Sequence, residues 1–194
     1  MKHLADAFET LLAAFDRLEL PYAVGGSVAS SEHGNHRFTN DVDIVVSLRE
    51  DRVDEFVAAL GAAFYADADT IRQAIRLGRS ANIIHMATAY KFDLFPAGER
   101  PFHHRELQRR QFREASFAGQ QIEFAMVSPE DAILAKLDWM RQSGGVSEQQ
   151  RRDILGIITV QGSRLDRVYL ETSALELGVL DDLRRLFEEA AAPK

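Results

Sequence analysis

Apolar positions along the chain follow two different spacings, and the pattern changes near residue 128. Before that point, segments with helical spacing alternate with short apolar runs of the kind that form buried strands. Helical spacing predicts helices at 3–19, from near Ser27 onwards, and at 50–60. The apolar runs predict strands at 22–24 and 42–47, and two hairpins, 81–87 with 90–95 and 111–117 with 121–127. Beyond residue 128, helical spacing alone predicts helices near 129–142, 148–161, 165–176 and 179–191.

This change of pattern predicts the fold class and a domain boundary. We expect an α/β (α+β) fold, with a small, strongly twisted mixed sheet and helices mainly on one face over residues 1–127. A helical domain should follow over residues 128–194, and we expect Trp139 in its core. Ser128 and Pro129 support the boundary, because a capping serine followed by proline at the first helical position is typical of a helix start. We expect the active site in the cleft between the two domains.

Composition narrows the classes of function. The chain has no cysteine, which excludes disulfides, thiolate metal sites and a cysteine nucleophile. Its net charge of −7 argues against dedicated, sequence-independent binding of nucleic acid. The arginines between residues 100 and 113 could still form a local basic patch, and a solvated helix with interspersed glutamates is the other interpretation.

The hydropathy pattern also bears on location. No apolar run approaches the ~18 residues that a membrane-spanning helix needs. The first twenty residues have the spacing of an amphipathic helix and carry acidic residues, unlike the apolar core of a signal peptide. We therefore expect a cytoplasmic protein with no membrane partner.

The strand predicted at 42–47 raises the main chemical question, because it is strongly apolar yet begins with two carboxylates. Asp41 and Asp43 flank Val42, and alternation along a strand places both carboxylates on the same face. Two neighbouring carboxylates repel each other, so a cation is expected between them. Oxygen ligands suit a hard cation, Mg²⁺ before Ca²⁺ or Mn²⁺. An exposed strand end with solvated acids is the alternative interpretation.

A phosphate site is expected near such a cation, because Mg²⁺ is commonly shared between carboxylates and substrate phosphates. Gly25, Gly26 and Ser27 can form one, because glycines let backbone N–H groups approach an anion at the start of a helix. Arg37, in the loop before the acidic strand, is a candidate for binding a nucleotide phosphate or a carboxylate. Asp93 interrupts another apolar strand and is the candidate third carboxylate of a two-metal site.

Taken in this order, the motifs resemble the nucleotidyltransferase superfamily, whose fold is that of the small palm domain of DNA polymerase β. The resemblance is carried by Gly26-Ser27, thirteen intervening residues, Asp41-Val42-Asp43-Ile44 and the later Asp93. The lead-in "HRFTNDVDI" is similar to the Arg-x-Thr-x-Asp-x-Asp form of many small bacterial members, notably the abortive-infection toxin group (AbiEii-like). "SPEDAILAKLDWM" followed by "RRDILGII" resembles the helical tail of that group.

The resemblance implies a role for each matching residue. Gly26 and Ser27 would hold a nucleoside triphosphate, and Asp41 and Asp43 would bind metal ions. Asp93 would bind one of these ions and help to activate the acceptor hydroxyl.

Three further residues match the family pattern more loosely. Thr39 falls on the threonine of the lead-in. Lys136 would reach the triphosphate; alternatively, it is a lysine whose stem lies along an apolar helical face. Asp153 is either a site residue or an acid at a helix start near Arg151 and Arg152.

The implied reaction is transfer of a nucleoside monophosphate from an NTP, with ATP among the candidates, to an acceptor hydroxyl, with release of pyrophosphate. Mg²⁺ or Mn²⁺ would be the cofactor. The acceptor stays open between tRNA, a protein and a small molecule, and a toxin would add an antitoxin partner. The alternative, from a different class, is a catalytically inactive member that binds nucleotide or a partner protein.

Overall fold

The computed structural model describes residues 2–34, 41–117, 120–145 and 147–192. The strands within these ranges are β1 Tyr22–Val24, β2 Asp41–Val46, β3 Phe64–Tyr65, β4 Ala81–His85, β5 Lys91–Pro96, β6 Gln111–Phe117 and β7 Gln120–Met126. The α-helices are α1 Lys2–Arg17, α2 Gly26–His33, α3 Val53–Leu60, α4 Ala68–Leu77, α5 Pro101–Arg109, α6 Pro129–Ser143, α7 Glu148–Gln161, α8 Arg167–Leu177 and α9 Leu180–Ala191. None of the helices in these ranges combines the length and apolar character that crossing a membrane requires.

The described strands form one mixed sheet in the order β3-β4-β5-β2-β1-β7-β6. β2 pairs in parallel with β5, and β1 in parallel with β7. The other neighbours are antiparallel, including both predicted hairpins, β4 with β5 and β6 with β7. The predicted α/β fold, with a mixed sheet and C-terminal helices, is confirmed.

One face of β2 and β5 packs against a core of aromatic rings. Val42 and Ile44 of β2 lie opposite Phe92 and Leu94 of β5, and all four side chains are buried. Phe8 of α1 reaches this layer, with its ring centroid 6.3 Å from that of Phe92. The apolar stripe of α1 therefore covers this face of the sheet, and the polar side chains at the start of β2 and β5 lie on the other face.

The chain divides into two compact units, and each unit draws on more than one segment. The first comprises Met1–Val24 and Thr39–Met126, and the second comprises Gly25–Phe38 and Val127–Lys194. The sequence division at 127 and 128 assigned the Gly25–Phe38 segment to the first domain. By its contacts, α2 of this segment groups with the C-terminal helices, and the division into a catalytic and a helical domain stays a prediction.

Close packing of α2 explains why that segment belongs to the second unit. Nε2 of His33 lies 2.8 Å from the backbone oxygen of Val127, and the side chain of Gln161 donates to the backbone oxygen of His33. Gly34 lies so close to α7 that an added Cβ would sit 2.9 Å from the backbone nitrogen of Ile157. A glycine is therefore needed at the end of α2 for the two helices to approach.

Some elements differ from the sequence prediction. β3 and α4 were not predicted, although α4 has both an Asp67 cap and a Gly78 terminus. The arginine-rich stretch does contain a helix, α5, but Glu106 on it is buried and bonded to His103 rather than solvated. Trp139, which was expected in the core, is 51% exposed on α6.

Candidate active site

The register of two parallel strands gathers the acidic residues of the first unit. Asp43 on β2 lies directly opposite Asp93 on β5, and Asp41 lies opposite Lys91. Residues two apart on a strand share a face, so these four side chains project from the same face of the sheet. That face is opposite the buried layer of Val42, so the apolar strand can begin with two carboxylates without burying them in the core.

Exposure differs among the three aspartates. The side chain of Asp41 is 56% exposed, whereas that of Asp93 is only 17% exposed. Asp43 is intermediate. The carboxylate of Asp93 is therefore less screened by water than that of Asp41, and charge interactions are stronger there.

Lys91 completes this cluster and was not predicted from the sequence. Its ammonium nitrogen lies 3.0 Å from Oδ2 of Asp93 and 3.7 Å from Oδ1 of Asp41. The hydrogen bond with Asp93 is the main cause that raises the pKa of Lys91. Partial burial lowers this pKa, and the negative charges of Asp93, Asp41 and Asp43 raise it further. The ammonium is therefore charged at neutral pH. Strand alternation could have identified it, since Lys91 precedes Asp93 by two positions.

The second carboxylate oxygen of Asp93 has the character of a ligand atom. Oδ1 is buried and has no hydrogen-bond partner among the described residues. A buried oxygen without a partner is costly, so an orphaned carboxylate oxygen fits a bound cation. Three aspartates on one face also supply the oxygen donors that Mg²⁺ or Mn²⁺ prefers. Within the described ranges, however, no three His, Cys, Asp or Glu side chains are gathered closely enough to hold a metal ion.

The predicted phosphate cradle lies in the second unit, at the start of α2. Gly26 has a φ of +56°, a left-handed conformation that favours glycine. Gly25 precedes the helix and provides no side-chain cap for its first N–H groups. Gly26 and Ser27 are half-buried. Backbone N–H groups at such a helix start are suited to an anion. The role of Gly25, Gly26 and Ser27 towards a nucleotide stays a prediction.

Lys136 and Asp153 form a pair within the second unit. The ammonium of Lys136, on α6, donates to Oδ2 of Asp153 at 3.0 Å and to Oε1 of Gln150 at 2.7 Å, both on α7. The side chains of Lys136 and Asp153 are 6% and 12% exposed. Asp153 is thus more than an acid at a helix start, because it binds a buried ammonium of the neighbouring helix. The triphosphate role of Lys136 and the site role of Asp153 stay predictions.

Two of the predicted site residues cannot be placed. Arg37 and Thr39 lie outside the described residues. Their roles towards the nucleotide therefore remain as the sequence predicts them.

Comparison with solved structures identifies the fold. The antibiotic-resistance factor ANT(2'')-Ia, determined in solution, superposes with a TM-score of 0.54 at 16% sequence identity, covering 95% of this chain and 98% of that chain. An antigenic nucleotidyltransferase-like protein from Paracoccidioides brasiliensis gives a TM-score of 0.51 at 18% identity, covering 94% of this chain and 91% of that chain. No protein-family model and no curated protein sequence matches the chain.

Both structures are nucleotidyltransferase folds, and they match this chain over almost its whole length. The same fold was expected from the glycine-serine pair and the three aspartates. The chain therefore has the fold of the nucleotidyltransferase superfamily.

Proposed function

We propose that the protein is a metal-dependent nucleotidyltransferase. An acceptor hydroxyl oxygen forms a bond to the α-phosphorus of an NTP, and the bond from that phosphorus to the bridging oxygen breaks. Pyrophosphate leaves, and the proton of the hydroxyl passes to a carboxylate or to water. Mg²⁺ or Mn²⁺, when bound, neutralises charge on the attacking and leaving oxygens.

The observation that carries this proposal is the register of β2 and β5. Asp43 lies opposite Asp93, Asp41 shares their face, and Oδ1 of Asp93 is buried without a hydrogen-bond partner among the described residues. A structural role alone would not require an orphaned oxygen beside two further carboxylates. A protein that binds a nucleotide without catalysing a reaction would not require all three aspartates.

The three carboxylates have different proposed tasks. Asp41 and Asp43 hold the metal ions. Asp93 would hold one ion through its buried Oδ1 and help to activate the acceptor hydroxyl. In phosphoryl transfer such positioning and charge neutralisation account for most of the catalysis.

The glycine-serine segment is proposed to hold the triphosphate. The left-handed Gly26 and the half-buried Ser27 begin α2, and their N–H groups can donate to phosphate oxygens. Gly25 is the residue after Val24 in the sequence. Val24 pairs with Ile44, which is the residue after Asp43. Arg37 and Thr39, which precede β2 in the sequence, are proposed to assist. Lys136 is the weaker candidate, because its ammonium already binds Asp153 and Gln150.

For the acceptor of the nucleotide, we propose chemical classes and not a single compound. The lead-in "HRFTNDVDI" and the helical tail support a toxin that modifies tRNA or a protein and is controlled by an antitoxin. The likeness in fold to ANT(2'')-Ia, an antibiotic-resistance factor, supports a small molecule. These are alternatives for the same chemistry at the same aspartates.

Two measurements test the proposal. Thermal unfolding with ATP, GTP, CTP or UTP, with and without Mg²⁺, should show stabilisation that needs both metal and one NTP, ~2.7 kcal/mol at 100 times the dissociation constant. Incubation with that NTP, labelled at the α-phosphate, and a cell extract should then place label in an RNA, protein or small-molecule fraction. Absence of metal-dependent stabilisation by any NTP would rule out the enzyme, and stabilisation without labelled product would favour the inactive alternative.

A further inference from the structure

Lys91 occupies a position in the acidic cluster where a cation would be expected. It lies opposite Asp41 in the β2–β5 ladder and two positions before Asp93, on the face that carries all three aspartates. Its ammonium is within hydrogen-bond distance of Asp93 Oδ2 and 3.7 Å from Asp41 Oδ1. One positive charge is therefore held between two of the carboxylates that are proposed to bind metal.

The two carboxylate oxygens of Asp93 have different surroundings. Oδ2 accepts the ammonium of Lys91, whereas Oδ1 is buried with no partner among the described residues. Half of the carboxylate is thus satisfied by the protein itself, and half remains for a ligand. The described residues hold no group of three side chains gathered around a common metal position.

We propose that Lys91 is a built-in counter-cation that competes with the divalent metal ion for Asp93 and Asp41. This inference rests on the proposed function and adds to it how metal loading is controlled. In the metal-free protein the ammonium relieves the repulsion among the aspartates. When a metal ion binds, its charge opposes that of the ammonium at the same carboxylates and weakens the ion pair, so the metal binds more weakly than it would to the carboxylates alone.

The side chain of Lys91 can move away from this position. It is 36% exposed, and its ammonium is carried on a flexible chain of four carbons. The ammonium can therefore turn towards water when a metal ion binds. A site with such an occupant fills incompletely from metal alone. It fills more readily when a triphosphate brings further oxygen ligands with the ion.

The test uses substitutions of Lys91 in the full chain. Lys91→Met keeps the length of the side chain and removes its charge, Lys91→Gln keeps a polar end without the charge, and Lys91→Arg keeps the charge. Binding of Mn²⁺ alone is followed through the loss of the electron paramagnetic resonance signal of the free ion, and independently through thermal unfolding. Arg49→Met is the control, because Arg49 pairs with the exposed Asp51 instead.

The expected result is that Lys91→Met and Lys91→Gln lower the Mn²⁺ concentration at half-saturation about tenfold. In excess chelator the same two variants should unfold at a lower temperature than wild type, and Mn²⁺ should restore them. Lys91→Arg and Arg49→Met should bind Mn²⁺ as wild type does.

Unchanged or weaker Mn²⁺ binding by both neutral variants would overturn the inference, whatever the wild type does. If the neutral variants bind Mn²⁺ and the wild type does not, the inference stands and the proposed metal dependence of the natural protein fails. If none of the proteins binds Mn²⁺, both fail.

Discussion

Asp43 and Asp93 occupy directly opposite positions on two parallel, hydrogen-bonded strands. This relationship depends on exact register, because a slip of one residue would turn Asp93 to the buried face and bring Phe92 to the open one. The buried layer of apolar side chains on the other face therefore holds the two carboxylates together. The core of the first unit thus determines the geometry of the candidate site.

Replacing Asp43 or Asp93 with asparagine should abolish nucleotidyl transfer while preserving the shape of each side chain. Loss of a ligand charge that is worth several kcal/mol in the transition state corresponds to roughly three orders of magnitude in rate. Incorporation of labelled nucleotide measures the effect. Asp51→Asn is the matched control, since Asp51 is an exposed aspartate that pairs with Arg49 outside the site, and it should retain full activity.

The aspartates should differ in their effect on the stability of the metal-free protein. Asp93→Asn removes the partner of the Lys91 ammonium at a mostly buried position, and the loss of a charge-assisted hydrogen bond costs about 1.5–3 kcal/mol. Asp41→Asn should change the free energy of unfolding by less than about 0.5 kcal/mol, because its side chain is largely exposed and its contact is longer. Chemical denaturation in chelator compares the two, and equal losses would contradict this expectation.

Lys136 and Asp153 provide a test that separates stability from nucleotide binding. If the pair serves the fold, Lys136→Met leaves the mostly buried carboxylate of Asp153 without its counter-charge and with Gln149 as a donor, at a cost of about 3–5 kcal/mol. The double variant with Asp153→Asn should then recover part of this loss. If Lys136 also contacts the triphosphate, Lys136→Met weakens NTP binding and Asp153→Asn does not. Denaturation and NTP titration of the three variants decide between these outcomes.

Gly34→Ala should destabilise the second unit by about 1–3 kcal/mol. The added methyl group would lie 2.9 Å from the backbone nitrogen of Ile157 and 3.0 Å from the backbone carbon of Gly156, so α2 and α7 would have to separate. Gly145→Ala is the control, because no atom lies within 4 Å of the corresponding position there. A Gly34→Ala protein as stable as the control would show that α2 and α7 are not tightly packed in solution.

Alkaline pH should weaken the first unit through Tyr22. Burial raises the pKa of this phenol, so the folded state favours its neutral form. The corresponding stability is fully present below the ordinary tyrosine value of about 10 and is lost as pH rises through the raised value. Tyr22→Phe removes the titrating group and should show a smaller loss of stability above pH ~10. Tyr65→Phe, at an exposed position, should follow the wild type.

Strand periodicity allowed much of the candidate site to be predicted. Alternation alone places Asp41 with Asp43, and the apolar neighbours of Asp93 predict that it faces away from the core. The same rule applied to Lys91 would have identified the fourth member of the cluster. What alternation cannot provide is register between strands that are far apart in the chain. The pairing of Asp43 with Asp93 therefore needed the structure.

The assignment of residues 25–38 to the helical unit could not be read from the sequence. It depends on the close approach of Gly34 to α7, a contact between segments more than a hundred residues apart. The exposure of Trp139 was mispredicted for a related reason. Helical spacing shows which residues share a face of α6, but the positions of the neighbouring helices decide how much of that face is covered.

The interleaving of the two units limits how the protein can be dissected. The chain passes from one unit to the other after Val24, after Phe38 and after Met126. A truncation after Met126 would leave α2 attached to the sheet without α7, while a fragment starting at Val127 would lack α2. The first fragment would contain the whole first unit together with an α2 that lacks its packing partner, and the second fragment would be an incomplete second unit. Expression of the C-terminal half is therefore a poor route to the second unit, whereas residues 1–24 joined through a short linker to residues 39–126 keep the full sequence of the first unit without α2.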